Sequence, residues 1–189
     1  FSFSKCSSLV HVVIPNSVVK IEKHAFQGCV SLTDITISYI VIEIGQEAFP
    51  YSCKIRKVYY FQGSKDTQEI NIPFGFTEIG IFCFNELKSV RNIIIPRSIN
   101  KICESSFRGC SSLTTILLPK ELLEIGNSAF KGCSSLTNII IPNYVKEIWE
   151  HAFEGCSSLT NITIPNNIKE IGEYTFSKCS KLHEIIIPN

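Results

Sequence analysis

Residues 143–165, Asn143-Tyr-Val-Lys-Glu-Ile-Trp-Glu-His-Ala-Phe-Glu-Gly-Cys-Ser-Ser-Leu-Thr-Asn-Ile-Thr-Ile-Pro165, decide the architecture, because their 23-residue pattern returns along almost the whole chain. Ile/Leu-Pro steps at Ile95-Pro96, Leu118-Pro119, Ile141-Pro142, Ile164-Pro165 and Ile187-Pro188 each follow the last by 23 residues. Reading down the columns gives a phenylalanine ladder: Phe3, Phe26, Phe49, Phe84, Phe107, Phe130, Phe153 and Phe176. A leucine-type ladder follows: Leu9, Leu32, Ile55, Val90, Leu113, Leu136, Leu159 and Leu182. Further aliphatic ladders run through pairs such as Ile35/Ile37, Ile116/Leu118 and Ile162/Ile164. One turn cannot bury these side chains alone but stacked neighbours can, so the fold is a repeat solenoid.

Within a turn, Leu136-Thr-Asn-Ile139-Ile-Ile141-Pro142 reads as a short strand, since it alternates with period two and ends on proline. Ile139 and Ile141 then face inward, and Asn138 and Ile140 outward. On the way back Val145, Ile148, Ala152 and Phe153 should face the core, as a short extended piece followed by one helical turn. Gly155-Cys156-Ser157-Ser158 makes the corner, glycine supplying a conformation that branched residues resist. Successive strands would pair in parallel, roughly 4.8 Å apart.

One region departs from the period. Pro73 follows Ser38, which takes the proline position of its own repeat, by 35 residues. Residues 39–61 fit a repeat, with Ile44, Ala48, Phe49, Ile55, Val58 and Tyr60 in register, although Ser52 takes the cysteine column and Cys53 sits beside it. Gln62 to Pro73 keeps only a strand, Glu69-Ile-Asn-Ile72, and the turn-rich Gln62-Gly-Ser-Lys-Asp-Thr67 should protrude as a loop. The next repeat is also degenerate, with Cys83, Glu86 and Leu87 where Ala, Gly and Cys usually stand. The expected organisation is a single array over 1–189: about eight repeats and a shortened irregular one at 62–73. Since solenoid ends need polar caps and none is visible, it should be part of a longer array.

The column order Val-x-x-Ile-Gly-x-x-Ala-Phe-x-Gly-Cys-x-x-Leu-x-x-Ile-x-Ile-Pro resembles the BspA-like leucine-rich repeats, also called the Treponema pallidum type. The resemblance covers essentially the whole chain apart from residues 62–73, and Val58-Tyr-Tyr-Phe-Gln-Gly-Ser-Lys-Asp66 is similar to the shortened repeat that interrupts such arrays. It implies a right-handed arc with a concave parallel sheet and a convex side of short extended segments and single helical turns. It also implies surface-exposed or secreted proteins that adhere to host proteins or other cells. The family brings no catalytic residue, so none is carried over.

Composition narrows the function. A net charge of +1 argues against nucleic acid or an anionic membrane as the main partner. The apolar runs are only a few residues long, too short for a transmembrane helix, so no direct membrane insertion is expected of this segment. No signal peptide stands at Phe1. No carboxylate pair, metal set or phosphate loop appears, so no enzyme activity, cofactor or metal is expected.

Cys6, Cys29, Cys110, Cys133, Cys156 and Cys179 share one column, with no CxxC pair among the nine cysteines. The first reading is a row of buried free thiols. Rung-to-rung disulfides come second, since neighbours about 5 Å apart approach disulfide range. Zinc comes third, because a column offers ligands in a line rather than converging. The four histidines do not cluster, and His24 and His151, at one repeat position, read as solvated surface groups. Charges on the return arc alternate in sign (Lys146, Glu147, Glu150; Lys169, Glu170, Glu173), as on a solvated convex face. A sequon, Asn161-Ile-Thr163, lies on a strand.

The outward strand positions carry the functional expectation. Ile94, Leu117 and Ile140 would form an exposed apolar stripe beside Asn92, Thr115, Asn138 and Asn161, with Thr163 at one end and Tyr59 and Phe61 toward the other. The plain alternative is that isoleucine is a good strand residue even where exposed. Contiguous exposed apolar patches usually mark contacts, and the reading is a non-catalytic protein-binding module of the cell surface whose partner is a protein. An intracellular scaffold, which nine reduced cysteines would fit, is the alternative.

Overall fold

The computed structural model describes residues 2–15, 17–37, 43–45, 47–50, 54–59, 64–72 and 75–187, with main chain only at Glu43 and 54–59. They fall into two compact units, Phe1–Val58 and Tyr59–Asn189. Each is a stack of parallel turns, and none of the described residues is helical.

The first unit contains β1 (His11–Ile14), β2 (Lys20–Ile21), β3 (Asp34–Ile37), β4 (Glu43–Ile44) and nearly all of β5 (Lys54–Tyr59). Strand β1 pairs in parallel with β3, Val12 opposite Ile35, while β2 pairs with β4 on the return path. The chain alternates in and out with period two, so Ile35 and Ile37 are fully buried, together with Phe26, Cys29 and Leu32. One register differs from the sequence expectation. Strand β5 lies against β3 with Ile55 opposite Ile35 and Arg56 opposite Thr36, so Ile55 stands in the column expected for Val58, and Tyr59 is not the neighbour of Thr36. The strand is reached three residues early.

In the second unit, β6 (Glu69–Asn71) pairs with β8 (Asn92–Ile94), and β12 (Asn161–Thr163) with β13 (Glu184–Ile186). Between them a single bridge joins Thr115 to Asn138. The return path is the more continuous ladder: β7 (Glu78–Ile79), β9 (Lys101–Ile102), β10 (Glu124–Ile125) and β11 (Glu147–Ile148) align Ile79, Ile102, Ile125 and Ile148, and a bridge extends the row to Ile171. Val145, Ile148, Ala152 and Phe153 are all buried as their spacing predicts. Leu118, expected inside, is half-buried, its place taken by the buried Pro119.

The single helical turn expected after the return strand takes another form. Ala152, Glu154 and Cys156 each donate an amide three residues back, while the intervening amides of His151, Phe153 and Gly155 donate across to the carbonyls of Glu173, Thr175 and Ser177. Every second amide thus reaches the next turn. This alternation uses two left-handed residues per turn. One column is mostly glycine, Gly28, Gly109, Gly132 and Gly155 at φ 73–77°. The other contains none: His24, Glu47, Phe82, Ser105, Ser128, His151 and Tyr174 all lie at φ 52–57°. Non-glycine residues resist that region by roughly 1–2 kcal/mol each. A hydrogen bond to the next turn, 3.1 Å from Phe82, 2.9 Å from Ser105 and Ser128 and 2.8 Å from His151, holds these four there.

Two ladders fill the space beneath. The phenylalanine rings stack nearly parallel, Phe107 on Phe130 at 5.0 Å and Phe130 on Phe153 at 5.4 Å, the offset geometry aromatic pairs favour. Phe3, on the first rung, is half exposed. Beside them the thiols of Cys29, Cys110, Cys133, Cys156 and Cys179 each donate to a phenylalanine carbonyl one turn back, at 3.0–3.2 Å. The eight described cysteines are free thiols, buried except Cys6; Cys53 lies outside the described residues.

Candidate functional site

The strand face of the second unit is built by alternation. Ile93, Ile116, Ile139 and Ile162 point inward and are nearly fully buried, so their neighbours must point out. Ile94 is 56% exposed, Leu117 81% and Ile140 71%, three consecutive rungs of one column, with the exposed Asn71 and Thr163 at its two ends. Asn92, Thr115, Asn138 and Asn161 stand beside it, all exposed. The adjacent threonines lock the rungs together: Thr160 Oγ1 donates to the Thr137 carbonyl and Thr137 Oγ1 to that of Thr114, both at 3.3 Å. Eight of the ten residues singled out from sequence therefore share one face. The other two fall outside the description, Tyr59 by its side chain and Phe61 entirely.

The return arc is less uniform than its alternating charges suggest. At its corner Glu154, itself buried, accepts Lys131 and Lys178 Nζ at 2.6 and 2.7 Å and lies 2.9 Å from His151 Nδ1. The hydrogen bonds from these lysines hold its pKa down at about 2. His151, expected to be solvated, is only partly exposed and stacks on Tyr174 at 5.1 Å. Burial pushes the thiol pKa of Cys110 up to about 12 and that of Cys133 and Cys156 well above the ordinary range, so these three thiols are protonated at neutral pH and poor nucleophiles. Among the described residues no group of three His, Cys, Asp or Glu could hold a metal ion. No described helix is long and apolar enough to cross a membrane.

Sequence reasoning passed over a groove of about 830 Å³ between the return arcs of the last two turns, lined by Tyr144, Trp149, Glu147 and Glu170 among others. A signal was present: the only tryptophan of the chain stands in the column that holds Gly45, Gly126 and Gly172 elsewhere.

A family model for the BspA type leucine rich repeat region matches residues 1–60 and 101–189 in six copies. No curated protein matches. Among solved structures, a leucine rich cell surface protein of Faecalibacterium prausnitzii is 24% identical, with a TM-score of 0.65 over 96% of this chain and 60% of its own. The Treponema pallidum leucine rich repeat protein is 27% identical over 94% of this chain and 69% of its own, with a TM-score of 0.52. The pneumococcal vaccine antigen PcpA, 21% identical over 94% of this chain and 56% of its own, has a TM-score of 0.58. The chain therefore spans about three fifths of the F. prausnitzii protein. With the shared columns, the parallel turns and the six matched copies together, the chain belongs to the BspA type leucine rich repeat family.

Proposed function

We propose that this chain is a non-catalytic protein-binding module of a cell surface, recognising a partner or host protein through its strand face. The observation that carries the reading is the stripe Ile94, Leu117 and Ile140, exposed at 56%, 81% and 71% on three successive rungs. Such a stripe has the makings of an interface core: apolar, held by cross-rung hydrogen bonds and edged by asparagine and threonine that can supply a polar rim. Its rigidity lowers the ordering cost of association. The surface placement is supported by the name of the F. prausnitzii relative, a cell surface protein.

The test is the double change Leu117→Lys with Ile140→Glu, measured by calorimetry against a candidate partner with circular dichroism as the folding control. Binding should weaken by about 2–4 kcal/mol, the range of interface hot spots. Lys23→Ala, exposed on the return arc of the first unit, should change it by less than about 1 kcal/mol. If Lys23→Ala abolishes binding and the stripe pair leaves it intact, the strand-face reading is wrong. An intracellular scaffold is the second reading, favoured by the free described cysteines, and cell fractionation of the full-length protein separates the two.

A further inference from the structure

Trp149, 47% exposed, and Tyr144, 63% exposed, present aromatic surface in the groove between the last two return arcs. Trp149 is anchored on both sides. Its amide donates to the Ile125 carbonyl at 3.1 Å, and Gly172 donates to the Ile148 carbonyl at 3.1 Å. The flanking Gly126 and Gly172 place no side chain beside the indole.

The charges around it are stacked against their own kind. The parallel bridge of Ile148 to Ile171 sets Glu147 opposite Glu170, and the same period sets Glu150 opposite Glu173. Like charges directly opposite across a ladder destabilise it. In the same column two turns earlier the array solves this, Lys101 pairing with Glu124 at 3.0 Å. None of the four glutamates in the groove makes an ion pair with a described residue. Lys146 and Lys169 line it too, so carboxylates outnumber ammonium groups four to two.

We infer that this groove is a second binding site, separate from the strand face, and that its occupant is an arginine side chain carried on an extended basic segment of a partner protein. The carboxylates do not converge as a metal ion requires, so the cation must be one whose charge is spread. A guanidinium is planar, stacks on an indole face and offers donors in several directions to carboxylates on either side. A lysine ammonium, compact and strongly hydrated, matches this arrangement less well.

Trp149 is the only tryptophan, so its emission reports the site directly. The whole chain is titrated at low salt with a capped Gly-Arg-Gly-Arg-Gly peptide, the same peptide with citrulline for arginine, and calcium chloride. The arginine peptide should give a saturable change in emission that the citrulline peptide and calcium do not. Glu147→Gln with Glu170→Gln should weaken its binding by roughly tenfold or more, as loss of charge-assisted partners does. Their thermal midpoint should be no lower than the parent's, because the change removes a like-charge contact; a midpoint that drops would assign these glutamates to the fold instead. Leu117→Lys should leave peptide binding unchanged, which separates this site from the strand face. The inference is overturned if the citrulline peptide binds as well, if calcium gives the saturable change, if the double variant binds unaltered, or if the arginine peptide gives no saturable response.

Discussion

The strand face and the return arc of residues 143–173 share one inner architecture and differ only in what they show outside. On one side Ile139 and Ile162 point inward beneath Ile140 and Thr163; on the other Ile148 points inward between Glu147 and Trp149. The inward columns are nearly invariant from turn to turn because a solenoid core is a set of ladders, and a misfit on one rung is felt by the rungs above and below. The outward columns carry no such constraint. One face is apolar and uncharged, the other aromatic and crowded with unpaired carboxylates. Core and surface are thus written in alternate residues of the same strands.

Breaking the shared interior should damage both faces at once. Phe130→Ala removes a fully buried ring stacked between Phe107 and Phe153 and should cost about 3–5 kcal/mol in denaturant unfolding. An unchanged midpoint would show that the ring stack does not hold the turns together. Gly172→Ala should act on one face only. An added Cβ would lie 2.6 Å from the Trp149 carbonyl carbon, an overpacking that should cost about 1–3 kcal/mol. It should shift Trp149 emission while leaving the affinity of the Leu117 stripe for its proposed partner intact. Equal loss at both faces would mean that they are coupled.

Glu154 sharpens the contrast between paired and unpaired charge within the return arc. Its folded pKa, about 2, lies below the ordinary carboxylate value. The stability it contributes is therefore fully present above about pH 4.3, the unfolded value, and is lost as pH falls toward 2. Glu154→Gln should lower the thermal midpoint at pH 7 by a few degrees and narrow its deficit progressively below pH 4. A deficit constant with pH would show that Glu154 acts by packing. The smallest effect belongs to the thiols at pH 8: Cys6, exposed, should react with an alkylating reagent in the folded protein, while Cys133 and Cys156 should react only after unfolding. Rapid labelling of Cys133 in the native state would contradict a closed core.

The interior was legible because periodicity is a direct record of which side chains must meet. The phenylalanine, cysteine and isoleucine columns, the short strands and the exposed stripe all follow from counting by 23 and by two. The left-handed column was not legible. His24, Glu47, Phe82, Ser105, Ser128, His151 and Tyr174 have no shared chemistry, and the amides of Phe82, Ser105, Ser128 and His151 bond to a carbonyl one turn ahead rather than to anything local. The buried hydroxyls of Ser106 and Thr175 hide in the same way, in the alanine column: each donates to the carbonyl three residues back, at 2.6 Å, and needs no polar neighbour. The register of β5 escaped because the period lapses there, and the groove because alternating signs look solvated until like charges are seen to stack.

The amides of Phe82, Ser105, Ser128 and His151 each end on a carbonyl 22 positions ahead, which makes the array hereditary in whole units. A duplication that inserts 23 residues brings both the amide and a carbonyl to receive it, so the seam closes as every other seam does. An insertion of another length leaves a strained residue without its acceptor. Genes for such chains are therefore free to lengthen, shorten and shuffle in steps of one turn. Because the outward residues travel with the turn that bears them, a new recognition surface can arise by reordering old units before any single position has changed.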